Sequence, residues 1–519
     1  MKYKAQYVLI NILNKKIKTV AESKVLQGKR RLCVNMNLIA YIKIFSISLP
    51  ALISIFFAVK KPGSSKFFEY AAITGIFIFA LFIPVKDGFA VFGMVVAIVF
   101  FTAYKIAKRD FSIMRTGFNI PMFLYLGMDA LSFLWSYSLN DSIVEFSKIL
   151  YFFAFFFAAA ELLNSVKKIS FMLGTFAFSI TLAIMYGLYQ KFFIAGFMYA
   201  GSRLTGFNND LSFPVQVSYG IVMFLCFYAF NFKTASINGG RVENGGGRQR
   251  NGGGKGAVKL PEAEKKISAV SFERLKAYIP AFIISIIVII GFFDIVMTKT
   301  RSALLGIVPA ILVIALLKSK KLFIAVIVFL IAANAGSFYL SKTYRTRVMT
   351  MFNPAVYKTE SKSHLDAESH ICLIESGLAM FEHHPLTGVG AAAFTKYFKT
   401  HKDVQFPWYH NPKTGKKLYC LYLDIPGNGY VQTLSEIGIF GFMILMWLFV
   451  EGIRKPYMLF KNSDDEFKKK ISVMTLGITI VFMGAFTSAA TMSDDKCSNL
   501  FFFFLAVFAA ASALRKNEK

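Results

Sequence analysis

The chain reads as an all-α polytopic membrane protein, with about twelve (12–13) transmembrane helices and one long extracytoplasmic loop containing short amphipathic helices. Three observations predict this. Its 519 residues are 55% hydrophobic with 58 Phe and only 17% charged, a make-up that would leave a soluble domain with far too much apolar surface. Many stretches reach the roughly 20 apolar residues that a bilayer-crossing helix needs. The net charge of +30 is confined to the N-terminus and to the loops between those stretches.

In chain order, residues 1–37 carry nine Lys or Arg against one Glu. They read as a basic cytoplasmic extension, because no small-residue cleavage site follows an early apolar core. Transmembrane helices then fill 38–340, with apolar stretches near 38–60, 67–85, 89–107, 118–138, 149–163, 169–192, 213–232, 277–298, 302–317 and 322–340. Only Lys60-Lys-Pro-Gly-Ser-Ser-Lys66 and Lys86-Asp-Gly88 separate the first three. One of these merging or re-entering gives about twelve spans and puts the basic start in the cytoplasm. Within this section the basic loop 233–276 holds Asn244-Gly-Gly-Gly-Arg-Gln-Arg-Asn-Gly-Gly-Gly-Lys-Gly256. It lacks the strand-before, helix-after setting of a phosphate cradle and reads as a flexible cytoplasmic linker. The long loop occupies 341–429. C-terminal transmembrane helices fill 430–519, with apolar stretches near 437–453, 471–490 and 499–514.

The strongly basic loops 233–276, Lys318–Lys321 and Arg454–Lys470 lie two spans apart from one another, so one membrane side accommodates them all. By the positive-inside bias that side is cytoplasmic, and the segment at Arg203, the turn at Arg301, the long loop and the turn at 491–498 share the other. The basic residues then face anionic lipid, and nucleic acid is excluded as a partner. The five Cys show no metal-ligand spacing, and Cys372 and Cys420 of the long loop are either a disulfide or a pair of thiols.

Arg203 stands in Gly201-Ser-Arg-Leu-Thr-Gly-Phe-Asn-Asn209, and Arg301 in Thr298-Lys-Thr-Arg-Ser-Ala-Leu-Leu-Gly306. A guanidinium at the hydrocarbon edge either snorkels to the headgroups or serves an anion. Small neighbours admit a bulky anion, and the planar fork grips phosphate at two points, so the pair reads as a diphosphate clamp. Arg345 and Arg347 either add positive field or edge a solvated loop.

In the long loop Ile371, Ile374, Leu378 and Phe381 recur at helical spacing and predict an amphipathic helix, ended by Pro385. Gly388 and Gly390 permit a tight turn back to the membrane. Asn428 can cap the helix that becomes the next span. Glu436, two turns further, must be protonated, paired or facing a wet cavity, and is read equally as structural or functional. All six His (His364, His370, His383, His384, His401 and His410) lie in this loop, without a metal-ligand helix spacing.

These segments resemble the O-antigen ligase and O-antigen polymerase-like membrane glycosyltransferases. The resemblance rests on Arg203-x-x-Gly206, Thr300-Arg-Ser302, Met380-Phe-Glu-His-His-Pro-Leu-Thr-Gly-Val-Gly390, Asn428-Gly-Tyr-Val-Gln-x-Leu-x-Glu-x-Gly-x-x-Gly441 and the early span Asn119–Ser138. It implies a bacterial inner (cytoplasmic) membrane protein with its active face periplasmic. It also implies transfer of a glycan from a polyprenyl diphosphate-linked donor to a glycan or lipid acceptor, with inversion and without a metal or other cofactor. Arg203 and Arg301 would hold the diphosphate, and a general base would deprotonate the acceptor. Ligases of this kind carry His-Asn where this chain has Gly427-Asn428, and glycine cannot take a proton. His410, in Trp408-Tyr-His-Asn-Pro412, is the first substitute base, followed by His384 and Glu436. Ligase and polymerase both remain open. The alternatives are a protein O-oligosaccharyltransferase of the same family and a lipid-linked glycan flippase, which would line its path with charges the spans here scarcely carry.

Overall fold

The computed structural model describes residues 64–194, 203–207, 211–231, 282–340, 345, 365–410, 417–419, 427–487, 492 and 496–514. The basic extension, the span expected at 38–60, the linker at 233–276, Arg347, His364 and Cys420 lie outside the described residues.

The helices are α1 (Ser64–Phe82), α2 (Asp87–Lys108), α3 (Asn119–Leu131), α4 (Leu139–Leu162), α5 (Val166–Phe193) and α6 (Ser212–Asn231). They continue with α7 (Phe282–Thr298), α8 (Arg301–Lys318), α9 (Lys320–Leu340), α10 (Leu365–His383) and α11 (Phe394–Thr400). The strands β1 (Pro407–His410) and β2 (Lys417–Tyr419) pair antiparallel, and α12 (Gly429–Asn462), α13 (Glu466–Ala485) and α14 (Cys497–Ala513) complete the order. Among the described residues seven helices are long and apolar enough to cross a membrane: α1, α2, α4, α5, α6, α8 and α12. The chain is therefore an all-α polytopic membrane protein, with one small hairpin in its loop.

Two compact units divide the chain. Among the described residues the first takes in 64–71 and Val99–Phe111, where Phe68, Ala103 and Tyr104 bury one another and Lys105 Nζ reaches Asp110 at 3.4 Å. The second comprises Ala72–Ile98 and the described residues from Ser112 onward.

At the centre of the second unit stands α14, whose Phe501–Phe504 run is wholly buried. Phe501 stacks on Phe482 at 4.3 Å, Phe502 meets Phe153 edge-on at 5.1 Å, and Phe504 meets Phe176 at 5.3 Å. An all-round apolar helix suits either lipid or a protein core, and here the packed rings of its neighbours enclose it. Where α8 crosses α13, a Cβ on Gly306 would lie 2.5 Å from Val481 O, so bare glycine lets the backbones touch. Outward faces carry Phe171, Phe178, Ile289 and Phe329, all more than half exposed, as a surface bathed in lipid tails requires.

The helix ends fall into two groups. At one end Lys318 lies over the Phe230 ring, Phe230 meets Phe460, and Lys468 Nζ donates to Leu514 O at 2.7 Å. At the other, Gln216 Nε2 donates to Ile83 O and Lys496 O, Lys496 pairs with Asp87 at 2.9 Å, and Gly429 N donates to Phe486 O at 2.8 Å. The basic ends at Lys318 and Arg454–Lys470 are thus grouped apart from the end that carries the turn at Lys496 and the start of α12.

One local expectation is revised. The span expected at 118–138 shortens to α3 and a 3₁₀ turn, Ser132–Leu134, because Ser132 and its neighbours are drawn into the long loop. The expected amphipathic helix forms as α10, and Leu378 of its apolar stripe faces outward. Cys372, Leu373, Ser376 and Met380 are buried, whereas Leu378 is 41% exposed, since small Ser376 and Gly377 admit closer packing. The β1–β2 hairpin went unanticipated. Cys372 is disulfide-bonded.

Candidate functional site

The Arg203 segment is held from two sides. Gln190, buried near the end of α5, accepts from Gly206 N at 2.9 Å and Thr205 N at 3.3 Å, while its Nε2 donates to Thr205 Oγ1 at 3.0 Å. Leu204 N donates to Met297 O at 3.3 Å, so the segment rests on the last turn of α7. Four residues beyond Met297, Arg301 opens α8, and both Arg203 and Arg301 are exposed. The structure therefore seats the Arg203 segment against the turn that leads into Arg301. Arg345 is exposed.

Beneath this region Asp294 of α7 is fully buried, and neither carboxylate oxygen has a hydrogen-bond partner among the described residues. Gly187 makes room for it, since a Cβ there would lie 2.7 Å from Asp294 Oδ2.

The two motifs of the long loop interlock through main-chain atoms. After α10, Pro385–Gly390 runs into a break in α12 at Gly438, whose φ of 69° and ψ of −170° leave the helix. Val389 N donates to Ser435 O at 2.8 Å, Gly390 N to Glu436 O at 2.9 Å, and Ile439 N to Pro385 O at 2.9 Å. Gly388 and Gly390 both have positive φ, as the tight turn requires. Asn428 caps α12 as expected, accepting from Tyr430 N at 3.0 Å and Val431 N at 3.2 Å.

Glu436 lies at 5% exposure under this joint. Its carboxylate accepts from Gln432 Nε2 at 3.2 Å and from Phe394 N at 3.4 Å. It lines a narrow pocket with Tyr125, Asp129, Glu145, Gln432 and Thr433. Asp129 is 1% exposed, with both oxygens lacking a hydrogen-bond partner among the described residues. Sequence reasoning passed over Asp129 and Glu145. An acid inside an apolar span is the signal that could have found Asp129.

His384, just past α10, faces a different and more open cavity with Trp135, Ser136, Tyr137, Thr387 and Gly388. Its Nε2 lies 3.2 Å from Tyr397 Oη. Burial, then neighbouring His383 and His401, hold the His384 ring below its ordinary pKa, so it is neutral at pH 7. Burial, then Tyr137 and Asp403, push the Tyr397 phenol up, which keeps it protonated. The backbone of His410 lies in β1, paired with Lys417. The structure therefore brings His384, Gly388, Gly390 and Glu436 into one joint, held together by the loop segment 384–394. Among the described residues no group of three or more His, Cys, Asp or Glu is placed to hold a metal ion.

Residues 286–446 match the family model described as O-Antigen ligase, so the chain is O-antigen ligase-like over that segment, which runs from α7 through Arg301 and the long loop into α12. No curated protein matches the chain.

Proposed function

We propose that the protein is a membrane glycosyltransferase that moves a glycan from a polyprenyl diphosphate carrier to an acceptor hydroxyl during surface-polysaccharide assembly, at the extracytoplasmic face of the inner membrane. The observation that carries the reading is the hydrogen bond from Leu204 N to Met297 O. It seats the Arg203 segment, which precedes the O-antigen ligase-like residues 286–446, on the turn into Arg301, which lies within them. Two exposed guanidinium groups at one end of the helices suit a lipid-borne diphosphate, whose sugar projects from the bilayer and whose anionic oxygens accept forked hydrogen bonds.

In this reading the acceptor oxygen attacks the anomeric carbon as the bond from that carbon to the diphosphate oxygen breaks, with inversion. The electron pair leaves with the diphosphate, and Arg203 and Arg301 stabilise the charge that grows there. His384 takes the acceptor's proton. Its neutral ring carries a lone pair that can do so, and Nε2 lies 3.2 Å from the Tyr397 hydroxyl that orients the ring. Glu436 holds the loop through Phe394 N and Gln432 and is assigned a positioning role. Arg345 and Arg347 add positive field, and His410 is the alternative base.

Arg203→Ala and Arg301→Ala should each abolish glycan product while the protein stays in the membrane. Normal glycan from both variants would sink the proposal. Glycan profiling of a deletion strain separates the acceptor classes. Single repeat units on the acceptor indicate a lost polymerase, free long polymer on the carrier a lost ligase, and glycan missing from protein a lost protein glycosyltransferase.

A further inference from the structure

Above the joint between the two motifs lies a cavity of about 280 Å³, lined by Trp135, Ser136, Tyr137, His384, Thr387 and Gly388. We propose that this cavity is a carbohydrate subsite, which receives one pyranose ring of the acceptor on the Trp135 and Tyr137 rings beside His384. The inference rests on the glycosyl-transfer reading and names where that reaction's acceptor binds.

Its size is the first argument. The cavity falls near the lower end of the roughly 300–1,000 Å³ that small-ligand pockets occupy, with room for a sugar ring and not for a polyprenyl tail. Its chemistry is the second. No lining side chain carries a fixed charge, and His384 is held neutral, so a diphosphate would find no cation here. Two aromatic rings and three polar side chains match a ring that has apolar C–H faces and a hydroxyl rim. The electron-rich face of an indole or phenol attracts such C–H groups, and the hydroxyls and imidazole can meet the rim.

Rigidity is the third. Trp135 Nε1 donates to Thr387 O at 3.0 Å, and Tyr137 N donates to Val389 O at 3.2 Å. Tyr137 also packs edge-on against Tyr397 at 4.7 Å and against His401 at 5.4 Å. Both platform residues are thereby pinned to the loop segment that carries His384. Tyr137 is nevertheless 41% exposed, so part of its ring is open to a ligand. A pre-positioned platform loses little freedom on binding.

The test uses the full-length protein in lipid nanodiscs. The probe is an oligosaccharide released by mild acid from the cell's own surface glycan. Binding is read by saturation-transfer NMR on the probe, and transfer by the KM for probe and for lipid-linked donor. Trp135→Leu and Tyr137→Ala should each lose the saturation-transfer signal and raise the acceptor KM about tenfold, the size of one ring-stacking contact, with donor KM unchanged. Trp135→Phe, which keeps a ring, should retain most binding, and it guards against a variant that simply misfolds. Wild-type binding and acceptor KM in both Trp135→Leu and Tyr137→Ala would overturn the subsite while leaving the transfer reading intact. A wild-type protein that binds the probe through Trp135 yet transfers nothing would uphold the subsite and overturn the transfer reading.

Discussion

Ile439 N donates to Pro385 O at 2.9 Å, across the break that Gly438 makes in α12. The residue that interrupts the helix frees an amide, and the loop supplies the carbonyl that receives it. A Cβ on Gly438 would lie 2.3 Å from Leu386 O, and its backbone angles are open essentially to glycine alone. Gly438→Ala should therefore cost about 1–3 kcal/mol in strain, before any clash is relieved, and lower the melting temperature in detergent. A variant with the wild-type melting temperature would show that the break relaxes without cost.

Gln190 is the chief side-chain support of the Arg203 segment. Gln190→Ala leaves Gly206 N without its acceptor, a penalty of about 1–3 kcal/mol. If the segment positions the donor diphosphate, the KM for the lipid-linked donor should rise about 10- to 100-fold with protein abundance unchanged. An unchanged donor KM would remove the segment from the binding site.

His384 titrates outside the membrane-spanning segments, and its pKa is depressed. A base works only when neutral, so activity should persist on acidification past the ordinary histidine value and fall only once pH drops through the depressed one. His384→Gln should lose about 100-fold or more in kcat and abolish that acidic limb. Should His384→Gln keep its rate while His410→Ala loses it, the base is His410.

Gly187 and Asp294 form a testable pair. Gly187→Ala drives a methyl into Asp294 Oδ2 and should destabilise by about 1–3 kcal/mol, the usual cost of overpacking. Adding Asp294→Ala should restore part of that loss, measured by thermal unfolding of the double variant. Simple additivity would show that the two residues are not in contact.

Much of this architecture was legible in the sequence because bilayer physics leaves strong marks. Apolar runs gave most of the described membrane helices, and the alternation of basic loops matched the grouping of helix ends at Lys318 and Lys468. Asn428 could be read as a cap and Gly388 and Gly390 as a turn, since each obeys a local rule. What stayed hidden depends on long-range contact. The packed face of α10 follows small Ser376 and Gly377 rather than the greasier Leu378, and apolar spacing does not report how closely a neighbour approaches. Trp135 and Tyr137 meet Thr387 and Val389 across some 250 residues, a partnership without local trace. Gln190, one polar residue near a span's end, looked like any other until Gly206 was seen beside it.

The joint at Gly438 is written almost entirely in peptide groups: Val389 to Ser435, Gly390 to Glu436, Ile439 to Pro385. Amides and carbonyls are the same in every residue, so apart from its glycines the seam prescribes few side chains. Apart from Glu436 and Trp135, whose side chains also bond the loop, residues on either side can be exchanged while the loop keeps its seat on the membrane helix. The mount is generic and the fittings are replaceable, an arrangement under which one scaffold can be re-equipped without being rebuilt.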